Sequence, residues 1–213
     1  MLIPDDREAL VELAPVLRRA TALDPAGLVR LRLTGEAAMA LLRLPFGVLV
    51  SRTVRVASSR PEALDVTLRA ADVLAWVDGD AARLETHDAA WRAGLPPVSG
   101  WRRLDTVPDD VVRDLVRRGA GALKDAAERE GVVGAQPRAE VADALLDSVV
   151  LTVNDDAGRT AEVSLRALSA ITRMGFLPRG GHVFVDTVGR WVRVVAEHGT
   201  AYLERPGSGL VLR

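Results

Sequence analysis

The sequence contains no cysteine. Disulfides, thiol nucleophiles, zinc–thiolate sites and iron–sulfur clusters are therefore excluded. Aromatic residues make up only 4% of the chain, so any core must be built mainly from Leu, Val and Ala. Lysine occurs once, at Lys124, and every other basic residue is arginine. Such a bias can reflect carboxylate or phosphate contacts, but Ala and Arg are enriched evenly along the chain, which fits base composition. No apolar run approaches the roughly 20 residues that span a bilayer. Asp5, Asp6, Arg7 and Glu8 stand where a signal peptide needs an apolar stretch. A soluble, cytoplasmic protein with no membrane partner is expected. The net charge of −1 gives no general attraction to nucleic acid or anionic lipid.

Catalytic motifs are missing too. No Gly-x-Ser-x-Gly occurs, and Pro206-Gly207-Ser208-Gly209 lacks a strand–elbow–helix context. No phosphate-cradling Gly-x-x-x-x-Gly-Lys-Ser/Thr and no Gly-x-Gly-x-x-Gly is present. Gly119-Ala120-Gly121 lies inside a charged helix, where small residues allow close packing. The three histidines, His87, His182 and His198, are far apart and none stands in a metal-binding spacing. His182 and Asp186 fall four apart on one strand, hence on one face. His198 beside Glu197 reads as a solvated turn residue. Asp5-Asp6 and Asp109-Asp110 fit helix N-termini. Asp155-Asp156 with Asn154 fits a hairpin turn, too short for a calcium loop. No catalytic residue, cofactor site or metal set is expected.

What is there reads as alternating helices and strands. Leu10, Leu13 and Leu17 give a first helix that Pro15 should break at Ala14. Asp24 to Gly27 is a turn, and Leu28 to Leu33 alternates as a half-buried strand. Thr34 then caps a predicted helix over Gly35 to Leu42 that Pro45 stops. Val48 to Val50 and Val54 to Val56 are strand material. Residues 80–104 form an extended connector in which Trp91 and Trp101 should be packed down. Thr106 and Asp109 resemble a helix cap, with Pro108 in the first turn. Val112, Leu115, Val116, Leu123 and Ala126 share one face of that helix, and Asp114–Arg118 and Asp125–Arg129 pair on the other. Gly131 to Pro137 is a loop and a plausible boundary. A helix over Arg138 to Leu146 follows, then strands around an Asn154–Gly158 turn. His182 to Thr187, Arg190 to Ala196, Thr200 to Glu204 and Leu210 to Leu212 form a closing meander. The implied fold is α+β, a mixed and mainly antiparallel sheet with helices packed on it. It divides as 1–104 and 105–213, unless the whole is one compact domain.

Two stretches echo each other. Asp65-Val66-Thr67-Leu68-Arg69-Ala70 and Glu162-Val163-Ser164-Leu165-Arg166-Ala167 share acid, Val, hydroxyl, Leu, Arg and Ala in order. Gly79 and Gly175 follow, and Val29 to Leu33 with Gly35 to Pro45 is a looser third copy. Chance in a biased composition is one explanation; an internal repeat making two similar halves is the one favoured here. Arg69 and Arg166 then read as solvent-facing strand arginines. Charge is uneven: residues 1–60 carry nine Arg against six acids, 61–150 eleven basic residues against seventeen acids, and 151–213 eight Arg against six acids. The acidic middle reads as a solvated helical segment, a docking surface for a basic partner being the other reading.

Four functional readings follow. Asp65 to Gly79 resembles the segment of sterol-carrier-protein folds in which a strand runs into a short helix; that resemblance implies a sheet and helices enclosing an apolar small molecule. Residues 164–174 with the hairpin after them are similar to half of a winged helix, with Arg166, Arg173, Arg179, Arg190 and Arg193 as a basic face. No partner helix precedes it, so nucleic acid is not the expected ligand. An enzyme would need a dispersed site such as His182, Asp186 and Arg166. The preferred expectation is a non-catalytic interaction or assembly protein that self-associates into a homo-oligomer.

Overall fold

The structure, a computed structural model, describes residues 7–8, 10–56, 63–80, 83–129 and 135–205. Contacts divide the chain into two compact units, Met1–Leu95 and Pro96–Arg213.

In the first unit a 3-10 turn, Val11–Leu13, leads into helix α1, Ala14–Leu23. The break expected at Ala14 is present. Pro15 has no N–H to donate, so it is tolerated only in a helix's first turn. Leu10, Leu13 and Leu17 are fully buried. Strands β1 (Leu28–Thr34), β2 (Ala37–Arg43) and β3 (Leu49–Arg55) form an antiparallel meander. Strand β4 (Leu64–Arg69) pairs with β1, so the order is β4-β1-β2-β3. It runs directly into helix α2, Ala70–Asp78, which packs on α1. Gly79, at φ +93°, closes that helix as a left-handed cap.

The helix expected over Gly35 to Leu42 is strand β2 instead. Helix propensity separates Ala, Met and Leu from other residues by only about half a kcal/mol each. Pairing on both sides, with β1 and with β3, outweighs it. Gly35, at φ +57°, makes the turn that sets this register, pairing Thr34 with Ala37 across a two-residue loop. Alternation then buries Val29, Leu31 and Leu33 beside Ala38 and Ala40.

The second unit starts with strand β5, Arg102–Pro108, and helix α3, Asp109–Arg129. Thr106 is thus a strand residue opposite Phe184, not a helix cap. Leu104, at the bulge between Arg103 and Asp105, and Val107 beyond it are both buried, so apolar anchoring of the strand wins over the cap. Helix α4 (Ala135–Asp147) precedes a two-stranded ribbon, β6 (Val149–Asn154) and β7 (Thr160–Ser164). Helix α5 (Leu165–Arg173) then enters the meander β8 (His182–Val188), β9 (Trp191–Ala196) and β10 (Gly199–Glu204). Strand β5 pairs with β8, giving the order β5-β8-β9-β10. The expected elements at Asp5-Asp6, Ser58–Pro61, Gly131–Gly134 and Leu210–Leu212, and the side chains of Leu123, Ala126 and Arg129, lie outside the described residues.

The two units are therefore alike, as an α+β fold with mainly antiparallel sheets. In each, a helix feeds a three-stranded meander, a fourth strand pairs with the meander's first, and that strand runs into a second helix. The register read from sequence is not the register of this repeat. Residues 65–69 lie in β4, whose structural counterpart is β5, whereas 162–164 lie in the separate ribbon. The echo between those stretches is a coincidence of composition on top of a real architectural repeat.

Close approach holds the second unit together. Gly119 of α3 faces buried Leu165 of α5, and a Cβ there would collide with the leucine. Gly121 opens onto free space, so only the first of those two glycines serves packing. At the other end the His198 N–H donates to the Phe176 carbonyl (3.0 Å), and a Cβ on Gly199 would lie 2.6 Å from three atoms of the buried Phe176 ring. A rigid ring cannot bend aside as a leucine tip can. Gly199→Ala is expected to cost about 1–3 kcal/mol through overpacking, while Gly121→Ala is neutral or stabilising. Urea melts of both variants check this, and an unchanged midpoint for Gly199→Ala would refute the packing argument.

Candidate functional site

Strand alternation places chemistry on the sheet face opposite each core. In β8, Val183 and Val185 are fully buried, so His182, Phe184 and Asp186 share the other face. Register sets Arg103 and Arg193 beside Asp186 on neighbouring strands. The Asp186 side chain is only 3% exposed. Arg103 Nε donates to its Oδ1 at 3.1 Å and Arg193 Nε to its Oδ2 at 2.8 Å. A lone buried carboxylate would be costly, and two guanidiniums offset that cost. Each arginine also lies over a ring: Arg103 Cζ is 3.5 Å from the Phe184 centroid and Arg193 Cζ 4.4 Å from that of Trp101. His182 meets Phe184 edge-on at 4.6 Å, and Trp101 meets Tyr202 at 6.0 Å. The result is a layer of alternating rings and ions.

The first unit carries a smaller version. Arg30 Nε donates to Asp65 Oδ1 at 2.6 Å and its Nη2 to Oδ2 at 3.0 Å, with Arg32 Nε 3.2 Å from Oδ2. Arg30 Cζ lies 6.0 Å from the Trp91 ring. The polarity is reversed between units. The carboxylate stands on flanking strand β4 in the first and on meander strand β8 in the second. Hydrogen bonding to Arg30 holds the Asp65 carboxyl below its ordinary range, and the same bond raises Arg30.

Trp91 and Trp101 are packed down as expected. Their indole N–H groups donate to Ala93 and Pro97 carbonyls, each at 2.8 Å. The connector also closes the border of the first sheet. Thr67 N–H donates to Asp88 Oδ1 (2.6 Å), and Thr67 C=O accepts from His87 N–H (2.7 Å). On β5, Thr106 N–H donates to Asp105 Oδ1 (2.7 Å).

A third feature is an open depression of about 670 Å³ at the start of α3, lined by Asp109, Asp110, Val111, Arg113, Asp114, Arg117, Arg118 and Arg179. Its charges are largely spent on one another. Arg113 Nε donates to Asp109 Oδ2 (3.0 Å) and its Nη2 to Leu177 O (2.7 Å), while Arg117 and Arg118 each reach Asp114 at 2.8 Å. Arg113 holds the Asp109 carboxyl below the ordinary range.

The residues named for a dispersed enzyme site each have a partner of their own in the fold. The Asp186 carboxylate is occupied by arginines, and His182 packs on Phe184. Arg166 is helical and buried, its Nε donating to Asp147 Oδ1 (2.8 Å) and its Nη2 to the Asp143 carbonyl (3.1 Å). It is not the solvent-facing strand arginine expected; it ties α5 to the last turn of α4. His198 Nε2 lies 3.8 Å from Glu197 in the β9–β10 turn, and His87 contributes its backbone. Asp155 organises the β6–β7 turn by accepting from Ala157 and Arg159 N–H (3.0 and 2.9 Å). Of the five arginines read as a basic face, three have carboxylate partners within the fold: Arg166 and Arg193 are tied inward and Arg190 pairs with Glu204. The Arg–Asp–ring layers escaped the sequence reading because they depend on strand register; the visible signal was the placement of arginines between core residues.

Comparison with known proteins places the fold. The chain resembles bacterial sliding clamps. Against the DNA polymerase III subunit beta of Pseudomonas aeruginosa the TM-score is 0.59 at 13% identity, over 93% of this chain and 62% of that one. The Thermotoga maritima beta subunit gives 0.55 at 12% identity, over 97% and 66%. The Helicobacter pylori beta clamp solved with carprofen gives 0.54 at 12%, over 95% and 65%. This chain thus spans less than two thirds of those proteins' length. In sequence it belongs to the family described as domain of unknown function DUF8185, matched over residues 96–208, and residues 1–96 match domain of unknown function DUF8010. No curated protein matches it in sequence. Residues 65–79 form β4 and α2, a strand running into a helix as the sterol-carrier resemblance implies, here within a clamp-like fold. Among the described residues, no helix is long and apolar enough to cross a membrane.

Two outcomes follow from the ion pairs and the border. Because the Asp65 carboxyl is held down in the folded state, its stabilisation is fully present above its unfolded value, about pH 4, and fades as pH falls through the lower folded value. Chemical denaturation should show Asp65→Asn less stable than wild type at pH 6, with the gap closing toward pH 2.5. Asp88→Ala should speed hydrogen exchange at the Thr67 amide by about tenfold or more, a lost charge-assisted bond being worth roughly 1.5–3 kcal/mol; an unaltered Thr67 rate would mean that Asp88 does not protect this border.

Proposed function

We propose that this chain is a non-catalytic assembly protein of the cytoplasm that works as a homo-oligomer on a sliding-clamp-like scaffold. The observation that carries the reading is the fold likeness over 93–97% of the chain to the Pseudomonas, Thermotoga and Helicobacter clamps. The internal repetition supports it, since two units of one design offer related surfaces that a second copy can meet in a closed, symmetric arrangement. The ionisable groups support it as well: Asp186, Asp65, Asp155 and Arg166 are engaged in holding strands, turns and helices together.

The clamps' names tie them to DNA polymerases. For this chain a nucleic-acid partner is the less favoured reading, because its net charge is −1 and Arg166, Arg190 and Arg193 of the expected basic face are tied into separate ion pairs. Light scattering on size-exclusion fractions of the full chain should give twice 22.8 kDa or a higher integral multiple. A monomer across the micromolar range would overturn self-association. A salt-sensitive shift with duplex DNA on the same column would overturn the preference against nucleic acid.

A further inference from the structure

We propose that Arg103 is a receptor for a carboxylate side chain of an acidic peptide lying across the outer face of the second unit's sheet. Arg103 uses only Nε for Asp186; among the described residues, Nη1 and Nη2 have no hydrogen-bond partner. The side chain is 51% exposed, so this open end of the fork faces solvent. Yet it is held in place. A nearly fully buried carboxylate fixes Nε from behind, and the Phe184 ring, 3.5 Å from Cζ, fixes the guanidinium from below. Most of the ordering cost of a long side chain is therefore met before a ligand arrives.

Geometry and charge select the ligand. The planar fork matches a carboxylate with two parallel hydrogen bonds. Asp186 neutralises one of the two arginines that clasp it, so the cluster retains one positive charge. That balances one carboxylate and leaves a dianionic phosphate half unmatched. Exposed His182, packed edge-on against Phe184, extends the flat floor on which the rest of a peptide can lie. This site is independent of self-association and would survive the failure of that reading.

The probe is an acetylated, amidated tetraglutamate peptide, so that side chains supply the only carboxylates. It is titrated into the 15N-labelled full chain while the Arg103 Nε–H resonance is followed. A saturable shift is expected, with tetraglutamine giving none. Arg103→Lys keeps the charge but loses the fork, and should weaken binding about tenfold. Exposed Arg102→Ala should bind as wild type does. Thermal melts of each variant establish that it is folded; if Arg103→Lys does not fold, the wild-type resonance shift alone decides. Equal affinity for Arg103→Lys, no movement of the Arg103 resonance, or tighter binding of inorganic phosphate at Arg103 would each overturn the proposal.

Discussion

Two-sidedness of the β-strand is the constraint on which both units depend. With few aromatic residues available, each core is made of Leu, Val and Ala on one face of four antiparallel strands, closed by a pair of helices. Burying each Leu or Val is worth about 1.5–3 kcal/mol, and strand geometry then sends every intervening residue to the opposite face. Phe184 and Asp186 lie outward because Val183 and Val185 must lie inward. Arg30 and Arg32 lie outward because Val29, Leu31 and Leu33 do not. The sites on the outer face are a consequence of how the cores are filled.

That outer face solves an electrostatic problem in two ways. A carboxylate in the middle of a sheet is poorly solvated, and each unit sets two arginines against one aspartate. In the first unit the aspartate is on the flanking strand and is a third exposed, so water shares the load and the pairs are weak in net terms. In the second the aspartate is nearly dry, and losing both arginines would strand a buried charge, a far larger penalty than the pairs' own worth. The rings beneath Arg103 and Arg193 complete the desolvated environment that makes Asp186 depend on both. Equivalent positions have thus diverged into an adaptable cluster and a rigid one.

Much of the fold could be read from the sequence. The Pro15 break, the strand β1, the helix after Pro108, the Asn154–Gly158 turn and the closing meander follow from local pattern. The misreadings share one cause. Gly35 to Leu42 has helical composition, but neighbours on both sides make it a strand. Thr106 looks like a cap, but Leu104 and Val107 anchor it in a sheet. Arg166 has the pattern of a surface strand residue, but the helix start after Ser164 turns it inward toward Asp143 and Asp147. Local propensity is worth tenths of a kcal/mol per residue, and pairing partners distant in sequence decide such cases. Register is also why the Arg–Asp–ring layers could not be assembled in advance: Arg103 and Asp186 are 83 residues apart and meet only through the β5–β8 pairing.

Sheet borders limit how such a protein can associate. An open border strand offers a row of free N–H and C=O groups to any passing strand. Thr67 has neither to offer, since Asp88 supplies the acceptor and the His87 backbone the donor that a neighbouring strand would have provided. On β5, a bulge interrupts the register and Asp105 occupies the Thr106 N–H. Another strand could add at these points only by displacing an aspartate that makes a charge-assisted bond, at a cost larger than the neutral bond it would gain. Side-chain surfaces, where Arg103 and the rings project, carry no such penalty. Contacts made by this chain are therefore cheaper through the faces of its sheets than through these two borders.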